Sequence, residues 1–125
     1  MMRILMMMAA LIGSTGAAAA PLVGQWGGDR TIVQFSESGG RIEQDCASGE
    51  FTGAVRPDAK GHFTVPGHFT DHQPGPQAED ARATPARFVG HVAGSTLHLA
   101  IHIGDAPPRR LTLVAGQGVK LLRCY

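Results

Sequence analysis

A charge excess of either sign is missing from this chain: 11 basic residues meet 10 acidic ones, for a net charge of +1. Nucleic-acid binding draws on a concentrated basic footprint, and this balance does not supply one. An apolar run of membrane-spanning length is missing too. A span takes roughly 20 apolar residues, and the stretch Ile4 to Ile12 falls well short of that. Sustained helical periodicity is absent, so no glycine-rich phosphate loop has a helix to open onto.

The N-terminus carries the first positive signal. "MMRILMMMAALIGSTGAAAA" has a basic start at Arg3, an apolar centre and a small-residue end, the pattern of a secretory signal. Ala17 and Ala19 form an A-x-A site, which sets the cut before Ala20 and makes residues 1–19 the signal peptide. Residues 20–125 are then one exported domain, periplasmic or secreted. Loss of Arg3 leaves ten basic residues against ten acidic ones. No cysteine lies near the cut, so a lipid anchor is not expected. The two cysteines, Cys46 and Cys124, are expected to pair in an oxidising compartment. Counting both ends, the bond closes a loop of 79 residues.

Seventeen glycines and eight prolines, with no helical pattern, favour an all-β domain. The expected architecture is an antiparallel meander of eight to ten short strands. A closed up-and-down barrel is favoured over a β-sandwich, because closure leaves no exposed strand edge. Turns are placed by requiring the apolar residues of both arms to share a face. A turn at Gly28-Asp29 sets Trp26 opposite Thr31. One at Ser38-Gly39 pairs Phe35 with Ile42 and Val33 with Gln44. One at Ser48-Gly49 pairs Cys46 with Phe51. A Gly94-Ser95 turn pairs Val92 with Leu97, Gly90 with Leu99 and Phe88 with Ile101. A Gln117-Gly118 turn pairs Leu113 with Leu122 and Leu111 with Cys124, so that both cysteines face inward. Residues 73–86, rich in proline and polar groups, are read as a mobile surface loop.

"GHFTVPGHFTDH" (Gly61 to His72) repeats itself and holds three histidines. Read as a hairpin with a connection at Pro66-Gly67-His68, it turns Phe63, Val65 and Phe69 to one face and sets His62 opposite His72. The Gly94-Ser95 register likewise sets His91 opposite His98. Cross-strand pairs of this kind are candidate metal ligands: His91 with His98, and His62 with His72. His98 and His102 lie about 13 Å apart on a strand and do not share an ion. Zinc ordinarily takes three or four ligands, and neither pair has a third assigned to it. The histidines therefore read first as an outer, solvated face.

No catalytic residue is assigned. Ser36, Ser38, Ser48 and Ser95 sit in or beside turns without a histidine–carboxylate partner. Glu43 and Asp45 point outward with no cleft between them. The interior draws on Trp26, Phe35, Phe51, Phe63 and Phe88, with Gly24, Gly53 and Gly90 expected to face the same space. Such glycines either seat the rings or leave a pocket.

"GQW" near the start of the domain, followed by a long meander, resembles the G-x-W opening of lipocalin-like barrels. In that group the tryptophan closes one end of the barrel. "DCASGEF", "PDAKGHF", "FVGHVAGSTLHL" and the terminal "LLRC" resemble small exported bacterial proteins of unknown function. These readings lead to a non-catalytic exported barrel that binds a small apolar ligand or a partner protein, without a cofactor. A periplasmic metal-binding protein and an inhibitor of a secreted hydrolase are the alternatives.

Overall fold

The computed structural model describes residues 20–72 and 83–122, and contains eight strands and no helix among them. In chain order these are β1 (Gly24–Gly28), β2 (Thr31–Ser36), β3 (Gly39–Gln44), β4 (Ala47–Thr52), β5 (His62–Asp71), β6 (Thr84–Ala93), β7 (Thr96–Ile103) and β8 (Arg109–Ala115). Each strand pairs antiparallel with the next. β1 pairs with β8 through Trp26–Ala115 and Gly27–Val114, which closes the barrel.

Alternation of side chains builds the wall. Along β2, Thr31, Val33 and Phe35 are buried and Gln34 and Ser36 exposed; along β4, Ala47, Gly49 and Phe51 are buried. The Gly94-Ser95 turn is as expected, with Val92–Leu97, Gly90–Leu99, His91–His98 and Phe88–Ile101 in register. The three earlier hairpins turn elsewhere. β1 and β2 turn at Asp29-Arg30, pairing Trp26 with Val33 rather than Thr31. Both turn residues have positive φ, 47° and 55°, the backbone twist that tight two-residue hairpins favour. β2 and β3 turn at Glu37-Ser38, pairing Phe35 with Gly40 and Val33 with Ile42. β3 and β4 turn at Asp45-Cys46, pairing Gly40 with Phe51 and Ile42 with Gly49. Trp26, Val33, Phe35, Ile42 and Phe51 are still inside, because each slip preserves the parity of the pleat.

Cys46 is corrected by that last turn: it is an exposed corner residue, not an inward strand residue. Gly24 and Gly53 are exposed as well, with φ of +96° and +97°. "HFTVPGHFTD" is not a hairpin but one continuous strand. β5 pairs with β6 from His62 to Phe69, whereas β4 joins it only from His68 to Asp71. Pro66 therefore lies where the β4 side of the strand is vacant, and its missing N–H breaks no ladder there. Thr84 to Ala86, expected in the loop, begin β6. Pro85 pairs with His68 on its β5 side and again lies where the other side is vacant, since the β6–β7 ladder begins at Ala86–Ile103. The rest of that expected loop, 73–82, lies outside the described residues.

The last expected hairpin is also replaced. Leu111 and Leu113 face Leu99 and Leu97 across β7, and the far edge of β8 is taken by β1. Gly116 (φ 75°) turns the chain away, its N–H donating to the Gln25 carbonyl at 2.7 Å. Residues 117–122 form no strand, and Leu122 is 56% exposed.

Candidate functional site

The interior is occupied by its own side chains. Trp26, Phe35, Phe51, Phe63 and Phe88 are all buried as expected, and Phe69 joins them. Phe35 and Phe51 lie 5.6 Å apart between centroids, Phe51 and Phe88 5.6 Å, and Phe35 and Phe63 6.2 Å in an edge-on arrangement. Inward glycines seat these rings. A Cβ on Gly40 would fall within the Phe51 ring, and one on Gly90 within the Phe63 ring. A Cβ on Gly67 would meet both the Glu50 carbonyl and the Phe88 ring. Glycine here makes room for aromatics rather than for a ligand. Thr31 is the buried polar residue of the core; its hydroxyl donates to the Asp29 carbonyl and accepts from Gln44 Nε2, each at 3.0 Å.

One end of the barrel is tied by charge. Arg109 of β8 makes two 3.0 Å hydrogen bonds to the Asp71 carboxylate of β5. Its guanidinium also stands 5.1 Å from the centroid of the Phe69 ring. The Asp71 bonds raise the Arg109 pKa above the ordinary arginine value, against a smaller opposing effect of burial. At the same end Asp45 accepts from the Leu122 backbone N–H at 2.8 Å and pairs with Arg30. The Leu122 bond foremost, with Arg30 adding to it against desolvation, holds the Asp45 carboxyl below the usual aspartate range. Cys46 is its chain neighbour. Cys124 lies outside the described residues.

Histidines are arranged differently from the two expected pairs. His91 of β6 does face His98 of β7, but its other neighbour is His62 of β5, so the three form one row across three strands. The rings are stacked: His62 and His91 are 4.3 Å apart between centroids at 19°, and His91 and His98 are 6.3 Å apart at 21°. Thr112 of β8 continues the row. His72 takes no part in it. It lies about 33 Å along the strand from His62 at the usual rise per residue, where its Nε2 is 3.0 Å from Ser48 Oγ. Ser48 thus has a histidine partner that its position in the sequence does not suggest. Asp71, the acid next to His72, is engaged by Arg109 instead.

Parallel stacking is a poor start for chelation. Lone pairs of stacked imidazoles run side by side, and on the convex outside of a barrel the ring tips diverge. Among the described residues no group of three histidine, cysteine, aspartate or glutamate side chains is placed to hold a metal ion. The row instead borders a depression of about 360 Å³ on the outer wall, floored by Val89 and Ala100 and flanked by Arg110. Ala100 is 9% exposed although it points outward. Arg110 stands beside it in the β7–β8 register. Sequence reasoning passed over Arg110, because its place depends on how β8 is paired. His62 was misplaced because Pro66-Gly67 looks like a turn.

No family model, curated protein or solved structure matches this chain. The geometry of the wall and the core therefore carries the functional reading. Among the described residues no helix is long and apolar enough to cross a membrane.

Proposed function

We propose that this protein is an exported, non-catalytic β-barrel that binds through its outer wall, to a partner protein or ligand, rather than by enclosing an apolar molecule. One observation carries the reading: inward glycines at positions 40 and 90 are covered by the Phe51 and Phe63 rings, where a ligand-holding barrel would keep space. Eight strands in up-and-down order and a buried Trp26 support the likeness to lipocalin-like barrels, whose enclosed pocket the packed core argues against here.

Export and the Cys46–Cys124 bond belong to the same proposal. The Leu122–Asp45 hydrogen bond supports the pairing, since it brings the chain two residues before Cys124 beside the residue preceding Cys46. Native mass spectrometry of protein purified from its own periplasm tests the whole reading. The expected result is a mature mass starting at Ala20, two hydrogens lighter than the reduced chain, with no small apolar molecule retained. An apolar ligand surviving purification at one-to-one stoichiometry would overturn the outer-wall reading.

A further inference from the structure

We infer that the depression bounded by His62, His91, His98 and Arg110 is a binding site for a phosphate group carried on an organic molecule. The site rests on the outer-wall reading in one respect only, that this face is solvent-accessible in the working protein.

Donors dominate the depression. β6, β7 and β8 contain no acidic residue, and β5 has only Asp71, which Arg109 engages at the barrel end. The acidic groups near the row are Asp29 of the β1–β2 turn, whose Oδ2 accepts the Thr112 backbone N–H at 2.7 Å, and Asp58 in the segment before β5. The Asp58 Oδ1 already accepts the backbone N–H groups of Lys60 and His62, each at 2.9 Å. The His62 bond in particular lowers its pKa below the ordinary aspartate value. Arg110 makes no ion pair or side-chain hydrogen bond among the described residues. A planar guanidinium with an unused fork is suited to bidentate contact with an oxyanion. Stacked imidazoles do not converge lone pairs on a single metal ion, but His62 and His91, 4.3 Å apart between centroids, can each donate an N–H to a different oxygen of one phosphate.

Spacing and floor narrow the ligand. His62 and His98 stand two strand spacings apart, about 10 Å, so one oxyanion can meet two adjacent rings of the row and Arg110, which calls for three acceptors rather than the two oxygens of a carboxylate. A phosphate offers three oxygens on different bearings. The Val89–Ala100 floor between these donors is apolar. That combination fits a phosphate with an attached apolar or aromatic group. Such a group could come from a soluble phosphate ester or from a phospholipid head.

The experiment is an NMR titration of the mature protein, disulfide intact, with phenyl phosphate. In parallel, co-sedimentation is run with phosphatidylcholine vesicles with and without phosphatidic acid. Expected are phenyl phosphate shifts confined to His62, His91, His98 and Arg110, and affinity weakened roughly tenfold or more in a His91→Gln/Arg110→Gln variant. His102→Gln, outside the depression, should leave affinity unchanged. Vesicle binding that requires phosphatidic acid, and is lost in the same double variant, would support the site with a lipid source. Failure of both probes, or binding indifferent to the double variant, would overturn the site. Neither of those results would touch the packed interior on which the proposed function stands.

Discussion

Gly90 shows how a single missing Cβ sets the shape of the core. Its α-hydrogen side is covered by Phe63, and any side chain must displace that ring. Gly90→Ala is expected to cost about 1–3 kcal/mol, the range for overpacking a filled interior, measured by urea denaturation. Adding Phe63→Leu should recover part of the loss, because the two positions share one space and their effects cannot be additive. Asp45 offers a second test at this scale. Its carboxyl titrates below the ordinary value because Leu122 and Arg30 favour the charged form. A lowered folded pKa contributes stability above the unfolded value of about 3.9, and that contribution disappears as pH falls through the lower folded value. The Leu122 amide should therefore exchange faster in Asp45→Ala at neutral pH than in wild type, and the difference between the two proteins should close in strong acid.

At the scale of the element, the β6–β7 hairpin is where sequence and structure agree in register pair for pair, with Val92 half-buried rather than buried. Leu99 is 3% exposed and opposes Gly90 inside the barrel, while His102 lies on the outside opposite Arg87. Leu99→Ala should cost about 2–5 kcal/mol, against roughly half a kcal/mol or less for His102→Ala. Similar losses at the two positions in chemical denaturation would mean that the wall is inverted. β5 carries the opposite lesson. Proline and glycine at 66–67 have the composition of a turn, yet the strand runs through them because β4 stops short of Pro66. Turn residues lose their meaning where the neighbouring edge is vacant.

Closure of the whole molecule depends on few links. β1 meets β8 over two residue pairs only, Trp26–Ala115 and Gly27–Val114. The segment after β8 crosses to the β3–β4 turn and is held there by Asp45. A Cys46–Cys124 bond would fasten that crossing and constrain the unfolded chain. For the 79-residue loop set by the sequence, the chain-entropy account gives about 4–5 kcal/mol. Reduction should therefore lower the melting temperature by many degrees, and peptide mapping under non-reducing conditions should recover the two cysteines linked. Recovery of both as alkylated thiols from protein isolated without reductant would end this account.

By itself the sequence determined parity: which residues of each strand face in. Val33, Phe35, Ile42, Phe51, Phe63, Phe88, Leu97 and Ile101 are buried as the alternation requires, because a pleat has period two and an apolar face must leave water. Parity does not determine register. The hairpin turns expected at 28-29, 38-39 and 48-49 stand at 29-30, 37-38 and 45-46, and every one of those slips keeps the same faces. Choosing among registers of equal parity takes interactions between distant strands. Phe51 must meet Gly40, Phe63 must meet Gly90, and β8 must reach β1. The same reason made one histidine pair legible and the row illegible. His91 and His98 are joined by a two-residue turn, whereas His62 reaches them only because β5 passes straight through Pro66-Gly67 to lie along β6. Local alternation set the faces; closure of the barrel set which residues meet across them.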